Sequence, residues 1–243
     1  MATSLERSEN LRQEFISNVS HELKTPMTTI AGFMDGMLDG TIPKEKHAYY
    51  MQTVSDEVKR LSRMVRSMLD ISRLQSTGEE IKKARFDVTE ALGRTLLTFE
   101  QKIEEKHLDV QVDMPDEATY TLADADSITQ VIYNLVDNAI KFTEEGDQII
   151  IETSIVGKKA FVAVEDTGVG MDEESLKHVF ERFHKGDKSR GLNKTGMGLG
   201  LAIVKQIIMN HGENIKVYSQ EGKGTRFEFH LPLANQVNFI EKK

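Results

Sequence analysis

Residues 11–38, LRQEFISNVSHELKTPMTTIAGFMDGML, decide half of the fold. Apolar side chains recur at Leu11, Phe15, Val19, Leu23, Met27, Ile30, Met34 and Leu38, in steps that mark one face of a helix. Asp39-Gly40-Thr41-Ile42-Pro43 then gathers turn and stop residues. A second helix is expected from near Lys44, with the stripe Met51, Val54, Val58, Leu61, Val65 and Met68. Its alternation of three and four is a heptad seam, and Ser76-Thr77-Gly78 ends it. Two such helices leave apolar surface bare. An antiparallel hairpin that pairs with a second copy into a dimeric four-helix bundle is therefore expected. The methionines suit a core that re-packs, and equally one in which Met only fills gaps.

Within this pattern, His21 lies two residues from the seam positions Val19 and Leu23, about 200° of helical rotation away, so it points outward. Thr25 shares its face at i+4 and Glu22 is adjacent. Pro26 falls inside the run, where it removes one helical hydrogen bond and clashes with the carbonyl of Glu22. A kink just beyond the histidine is expected. A lone exposed His is usually only solvated. The cluster SHELKTP is less ordinary, because a mid-helix proline costs roughly 3 kcal/mol. The chemistry open to His21 is nucleophilic: one ring nitrogen is free in the neutral imidazole, and a carboxylate such as Glu22 could hold the other.

The whole chain has 243 residues, enough for one large domain or two ordinary ones. Hydrophobic residues at 39% and charged residues at 29% suit a folded protein rather than a disordered one. No apolar run approaches the roughly eighteen residues of a membrane span, and MATSLERSEN lacks a signal core. Zero cysteines exclude disulfides, thiolate nucleophiles and zinc–cysteine sites. The net charge of −8 argues against nucleic acid as a partner. That charge sits after residue 75, because residues 1–75 hold 10 Lys+Arg and 10 Asp+Glu. Two regions with different physics are implied.

From 86 to 232 the pattern alternates. Helices are expected over 88–106, 126–142, 175–183 and 199–210. Short strands are expected at 108–114 and 119–122, with hairpins at 148–155/159–165 and 214–218/225–231. Helices segregated between hairpins suggest an α+β two-layer sandwich rather than a Rossmann repeat. Three features carry chemistry. Asn134, Asn138 and Lys141 form a polar stripe on an apolar helix; amide oxygens suit Mg²⁺ and an ammonium suits phosphate, although a solvated face explains the stripe as well. Asp166, followed by Gly168 and Gly170, puts an acid at a strand end, where a carboxylate can accept from an exocyclic amine; an ordinary turn also fits. Gly196-Met197-Gly198-Leu199-Gly200 leads into a helix whose first N–H groups suit phosphates, without the ending of a P-loop. Residues 188–194 before it read as a mobile lid, and Gly222-Lys223-Gly224-Thr225 as another close-approach turn.

In this order the motifs resemble the catalytic core of bacterial two-component sensor histidine kinases, over roughly residues 8–232. SHELKTP is similar to the family's phosphoacceptor box and NLVDNAIKF to its N box. DTGVG, GMGLGLAIVK and GKGT are similar to its three glycine boxes, and FERF to its F box. Met197 and Glu213 stand where Thr and Gly are usual, and the role of the basic residues in the run from His184 to Asp187 stays open. The resemblance implies a hairpin domain followed by a sandwich ATPase of the gyrase, heat-shock chaperone and histidine kinase type. The expected division is a signal-helix linker at 1–10, the phosphoacceptor domain at 11–76, a linker at 77–85, the ATP-binding domain at 86–232 and a tail at 233–243.

The same resemblance implies roles. His21 would be phosphorylated, with Glu22 orienting and deprotonating it. Thr25 would position water for dephosphorylating a partner's aspartyl phosphate. Asn138, with Asn134, would hold Mg²⁺ and the phosphates of ATP; Lys141 would touch phosphate and Phe142 would pack near the base. Asp166 would read the adenine amine, in a pocket shaped by Gly168 and Gly170. Gly196, Gly198, Leu199 and Gly200 would flank the lid and phosphates, and Thr225 would complete the site. Expected partners are a second copy of the chain and a response regulator receiver domain, with a membrane reached only through a sensor portion absent from this cytoplasmic stretch. Two other readings stay open: a nucleotide-gated ATPase in which His21 is incidental, and a coiled-coil scaffold that leaves the glycine boxes unexplained.

Overall fold

A computed structural model describes residues 2–75, 81–184 and 198–234. The chain divides into two compact units, residues 1–72 and 73–243. The first is a helical hairpin. Helix α1 (Ala2–Leu38) and helix α2 (His47–Gln75) are joined by a short link that contains one 3₁₀ turn, Lys44–Lys46. The link is pinned by Ile42 N–H donating to the Gly36 carbonyl at 2.7 Å, and by the His47 ring against the Ile42 carbonyl at 3.0 Å. The helical run starts nine residues before Leu11, so residues 2–10 continue α1. Pro26 lies inside helix α1, which continues on both sides of it. Pro26 is buried, and packing of its ring offsets part of the lost hydrogen bond.

The heptad seam is only half covered. Val54, Leu61 and Met68 on α2 are half-buried, whereas Met51, Val58 and Val65 are exposed. On α1, Met27, Met34 and Leu38 are exposed as well. Each helix thus keeps apolar side chains in contact with water, at seven-residue spacing in Met51, Val58 and Val65 of α2 and in Met27 and Met34 of α1.

The second unit is a two-layer sandwich. Its elements are β1 (Ala84–Asp87), α3 (Val88–Glu105), β2 (Asp109–Asp113), β3 (Tyr120–Ala123), α4 (Ala125–Phe142), β4 (Gln148–Val156), β5 (Lys159–Asp166), α5 (Glu173–His178), α6 (Gly200–Asn210), β6 (Ile215–Gln220) and β7 (Gly224–Pro232). Five strands form the main sheet in the order β2-β4-β5-β7-β6. All its neighbours are antiparallel except β2 and β4, which run parallel. A parallel pair needs a long crossover, and α4 lies within it. Strands β1 and β3 make a separate two-stranded sheet.

One face of the main sheet meets the helices. Ile149 and Ile151, Val162 and Val164, and Phe227, Phe229 and Leu231 are buried at alternate positions along three strands. They lie beneath α4, whose Ile128, Val131, Ile132, Leu135 and Val136 are buried, and α4 packs in turn on α6, where Ile203, Val204, Ile207 and Ile208 are buried. Each fully buried aliphatic side chain contributes about 1.5–3 kcal/mol of transfer free energy. The expected strands and hairpins are present, with three differences. Strand β1 begins inside the expected linker at 77–85. The helix expected over 175–183 stops at His178 and gives way to turns. The tail expected from 233 still touches the sheet at Leu233 and Ala234. Gly196, Met197, residues 188–194 and residues 235–243 lie outside the described residues.

Candidate nucleotide and phosphoacceptor sites

In the hairpin, the His21 side chain is exposed, as the seam geometry required. One turn on, the exposed Thr25 hydroxyl lies 3.4 Å from the His21 carbonyl, the back-bonding pattern of helical threonines. Glu22 is half-buried, and its carboxylate is 3.7 Å from the Arg60 guanidinium on α2. Arg60 also pairs with Glu57 at 3.3 Å, while its buried Nε has no partner. Arg60 carries no motif, so only the assembled hairpin brings it to Glu22.

The sandwich site is built at the C-terminal end of α4 and the adjoining strand ends. Asp124 caps α4 by accepting the Ser127 N–H at 2.9 Å. At the other end Lys106 donates to the carbonyls of Ile140 and Thr143 at 2.6 and 2.8 Å, which satisfies the last turn. Burial holds the Lys106 amine below its usual basicity. Asn134, Asn138, Lys141 and Phe142 are half-buried along this helix. Lys141 is ion-paired with Asp137, which also meets Lys102 at 3.4 Å.

Asp166 ends β5 with its side chain buried. Its carboxylate accepts the Gly168 N–H at 3.0 Å and the Thr225 N–H. Burial pushes its pKa up to about 7, against the pull of those two hydrogen bonds and with some help from Asp147 and Glu165. The carboxyl is thus poised between its two charge states near neutral pH.

Two glycines make this pocket possible. A Cβ on Gly168 would lie 2.1 Å from the Phe142 carbonyl oxygen, so the turn seats directly on the end of α4, where Val169 N–H donates to the same carbonyl at 3.1 Å. A Cβ on Gly224 would lie 1.8 Å from the Asp166 carbonyl oxygen. The turns after β5 and before β7 interlock further, with Gly170 close against Gln220 and Gly222 N–H donating to the Val169 carbonyl at 2.8 Å. Thr225 stands directly opposite Asp166 in the sheet.

The second glycine motif is described from Gly198 onward. Phe183 N–H donates to the Gly198 carbonyl at 2.9 Å, and Phe183 itself is left-handed, with φ 61°. Leu199 is buried at the cap of α6, and Gly200 begins the helix. A Cβ on Gly200 would lie 3.4 Å from Asn134 Oδ1, so that amide faces the start of α6, whose first N–H groups favour phosphate. The structure thus brings Phe142, Asp166, Gly168, Gly170 and Thr225 together where α4 and β5 end and β7 begins, and sets Asn134, midway along α4, against Gly200 at the start of α6. Among the described residues no cluster of three His, Asp or Glu could cage a metal. Asn134 and Asn138, one turn apart, are neutral oxygen donors that fit Mg²⁺, a hard cation that keeps water and substrate phosphates in its shell.

Comparison with known proteins agrees. Residues 11–77 match the His Kinase A (phospho-acceptor) domain, and residues 123–235 match the histidine kinase-, DNA gyrase B- and HSP90-like ATPase family. The sensor histidine kinase YclK of Bacillus subtilis is 37% identical over 231 residues, which are 95% of this chain and 48% of YclK. The chain thus spans about half the length of the curated relatives it matches. The structure of ShkA with AMPPNP is similar with a TM-score of 0.67 at 26% identity, covering 93% of this chain and 47% of ShkA. The complex of histidine kinase ThkA with response regulator TrrA is similar with a TM-score of 0.74 at 27% identity, covering 95% of this chain and 66% of the other. The ThkA catalytic domain alone is 31% identical with a TM-score of 0.56, over 63% of this chain and 96% of that domain. A phosphoacceptor hairpin followed by an ATPase-type sandwich, spanning nearly all of a related catalytic domain, places this chain: it belongs to the sensor histidine kinases.

Proposed function

We propose that the chain is the catalytic core of a sensor histidine kinase, in which ATP bound by the sandwich phosphorylates His21 and the phosphoryl group passes to an Asp of a response regulator. The observation that carries this reading is an exposed imidazole in the same chain as a pocket with a buried carboxylate, backbone-to-backbone glycine turns and a helix start facing an amide oxygen. The name of the ShkA complex, which includes AMPPNP, and that of the ThkA complex, which includes a response regulator, support the nucleotide and the partner.

Each residue then has a task. Asp166 accepts from the adenine amine, Phe142 flanks the base, and Gly198 and Gly200 leave the α6 N–H groups open to phosphate. Asn138 and Asn134 hold Mg²⁺, which when bound neutralises phosphate charge and fixes its orientation. Lys141, with three N–H donors and one carboxylate partner, meets phosphate with its remaining donors. A His21 ring nitrogen attacks the γ-phosphorus in line, the bond from phosphorus to the β,γ-bridging oxygen breaks, and ADP leaves. Glu22 takes the ring proton. The bare apolar columns of α1 and α2 are covered by a second copy, giving a four-helix bundle. The exposed Thr25 hydroxyl beside His21 supports a second activity, hydrolysis of the regulator's aspartyl phosphate, in which it orients water.

Incubation with γ-labelled ATP should leave acid-labile label on the protein, absent from His21→Ala. Label retained in that variant overturns the reading. For the second activity, Thr25→Ala should slow regulator dephosphorylation and spare autophosphorylation; unchanged dephosphorylation removes it.

A further inference from the structure

Ser219 of β6 lies directly opposite Thr225 of β7, which lies directly opposite Asp166 of β5. Opposed residues share a face, so the three side chains form one row across the sheet. The Ser219 hydroxyl has three neighbours. It accepts the Met171 backbone N–H at 2.9 Å, donates to the Gly224 carbonyl at 2.9 Å, and stands 2.9 Å from Thr225 Oγ1. A serine hydroxyl has one proton to give and can accept twice. The Gly224 carbonyl can only accept, so it takes that proton, and the Met171 amide can only donate. By elimination the Thr225 hydroxyl donates to Ser219. The Thr225 oxygen is then left as an acceptor, beside a carboxylate that already takes two backbone N–H groups.

We propose that Ser219 is a positioning and specificity-determining residue, which aims the Thr225 hydroxyl so that the row selects a 6-amino purine over a 6-oxo purine. This rests on the ATP-binding reading above. With Asp166 ionised, above about pH 7, a 6-amino group brings two N–H donors to a row of acceptors, whereas a 6-oxo group brings an acceptor and leaves the row unpaired. Without Ser219 the Thr225 hydroxyl is free to rotate and donate, and the 6-oxo purine regains a partner. Ser219 also ties the turn after β5, through Met171, to the turn before β7, through Gly224. A purely structural role would therefore weaken all nucleotides alike.

The test is displacement of trinitrophenyl-ATP by ATP and by ITP, which differ at position 6. The wild type should prefer ATP. Ser219→Ala should reduce that preference by about fivefold, the worth of one hydrogen bond. Ser219→Thr, which keeps the hydroxyl, should retain it. Thr225→Val should reduce it to the same level, and combining it with Ser219→Ala should reduce it no further. An unchanged ATP-over-ITP ratio in Ser219→Ala, or an equal reduction in Ser219→Thr, overturns the inference. If thermal unfolding shows that Ser219→Ala does not fold, the near-isosteric Ser219→Cys takes its place with the same expectation. ATP binding with an unaltered ratio fails this inference alone; a wild type that binds neither nucleotide fails the ATP reading beneath it.

Discussion

The hairpin and the sandwich handle their polar groups in opposite ways. His21 and Thr25 of the hairpin stand in water, and the backbone beneath them is an ordinary helix. Asp166 and Thr225 of the sandwich are buried, and the backbone around them approaches so closely that a methyl group would collide with a carbonyl. The first region keeps its reactive group accessible to large partners. The second holds its carboxyl and hydroxyl away from water within close-packed turns. A substitution should therefore be felt through chemistry in the hairpin and through geometry in the sandwich.

Glycine substitutions test this contrast most strongly. Gly224→Ala places a Cβ 1.8 Å from the Asp166 carbonyl oxygen at φ 104°, so we expect more than about 3 kcal/mol of lost stability and no nucleotide binding. Thermal unfolding and nucleotide titration measure both, and a wild-type-like Gly224→Ala would break the comparison. Next comes pH. The Asp166 pKa is about 7 in the folded protein against 3.8 unfolded, so between those values the folded state holds a proton that the unfolded state has released. Stability should fall as pH rises from about 4 to about 7, by on the order of 4 kcal/mol, and level off above. Asp166→Asn should flatten that slope in denaturant titrations. Because the adenine amine needs an acceptor, ATP affinity should rise over the same window.

The hairpin responses are expected to be smaller. Arg60→Ala removes the half-buried ion pair between Arg60 and Glu22 and should cost about 1 kcal/mol by thermal melting. Gly32→Ala meets nothing within 4 Å in a regular helix and should stabilise by about 0.5–1 kcal/mol. A destabilised Gly32→Ala would show that the outer face of α1 is more tightly constrained than the single chain indicates.

Much of the architecture could be read from the residues, because periodicity reports burial directly. The buried positions of α4, from Ile128 through Ile140, follow the apolar spacing that predicts the helix. Strand β1 escaped because only Phe86 among Ala84-Arg85-Phe86-Asp87 is a strong strand former. The helix expected to Phe183 ends at His178, and Phe183 is instead left-handed with its N–H donating to the Gly198 carbonyl, a contact between segments that helix periodicity does not report. In the site, residues inside glycine-rich or SHELKTP-like runs could be singled out, since backbone approach and mid-helix proline leave marks in composition. Ser219 and Arg60 could not. Each is an unremarkable polar residue in its own element: Ser219 meets Gly224 and Thr225 only once the last hairpin closes and Met171 only once the turn after β5 comes beside it, and Arg60 meets Glu22 only once α1 and α2 pair.

The small sheet has one further consequence. Strand β1, where the chain enters the sandwich, pairs with β3, and so does the stretch just after β7, through the Thr121–Leu233 bridge and Ala234 N–H donating to the Tyr120 carbonyl at 2.9 Å. Both ends of the unit are thus clasped by one strand. Such a module is suited to transplantation: circular permutation or splicing into a foreign loop needs only a short joint at that clasp and leaves the nucleotide pocket untouched.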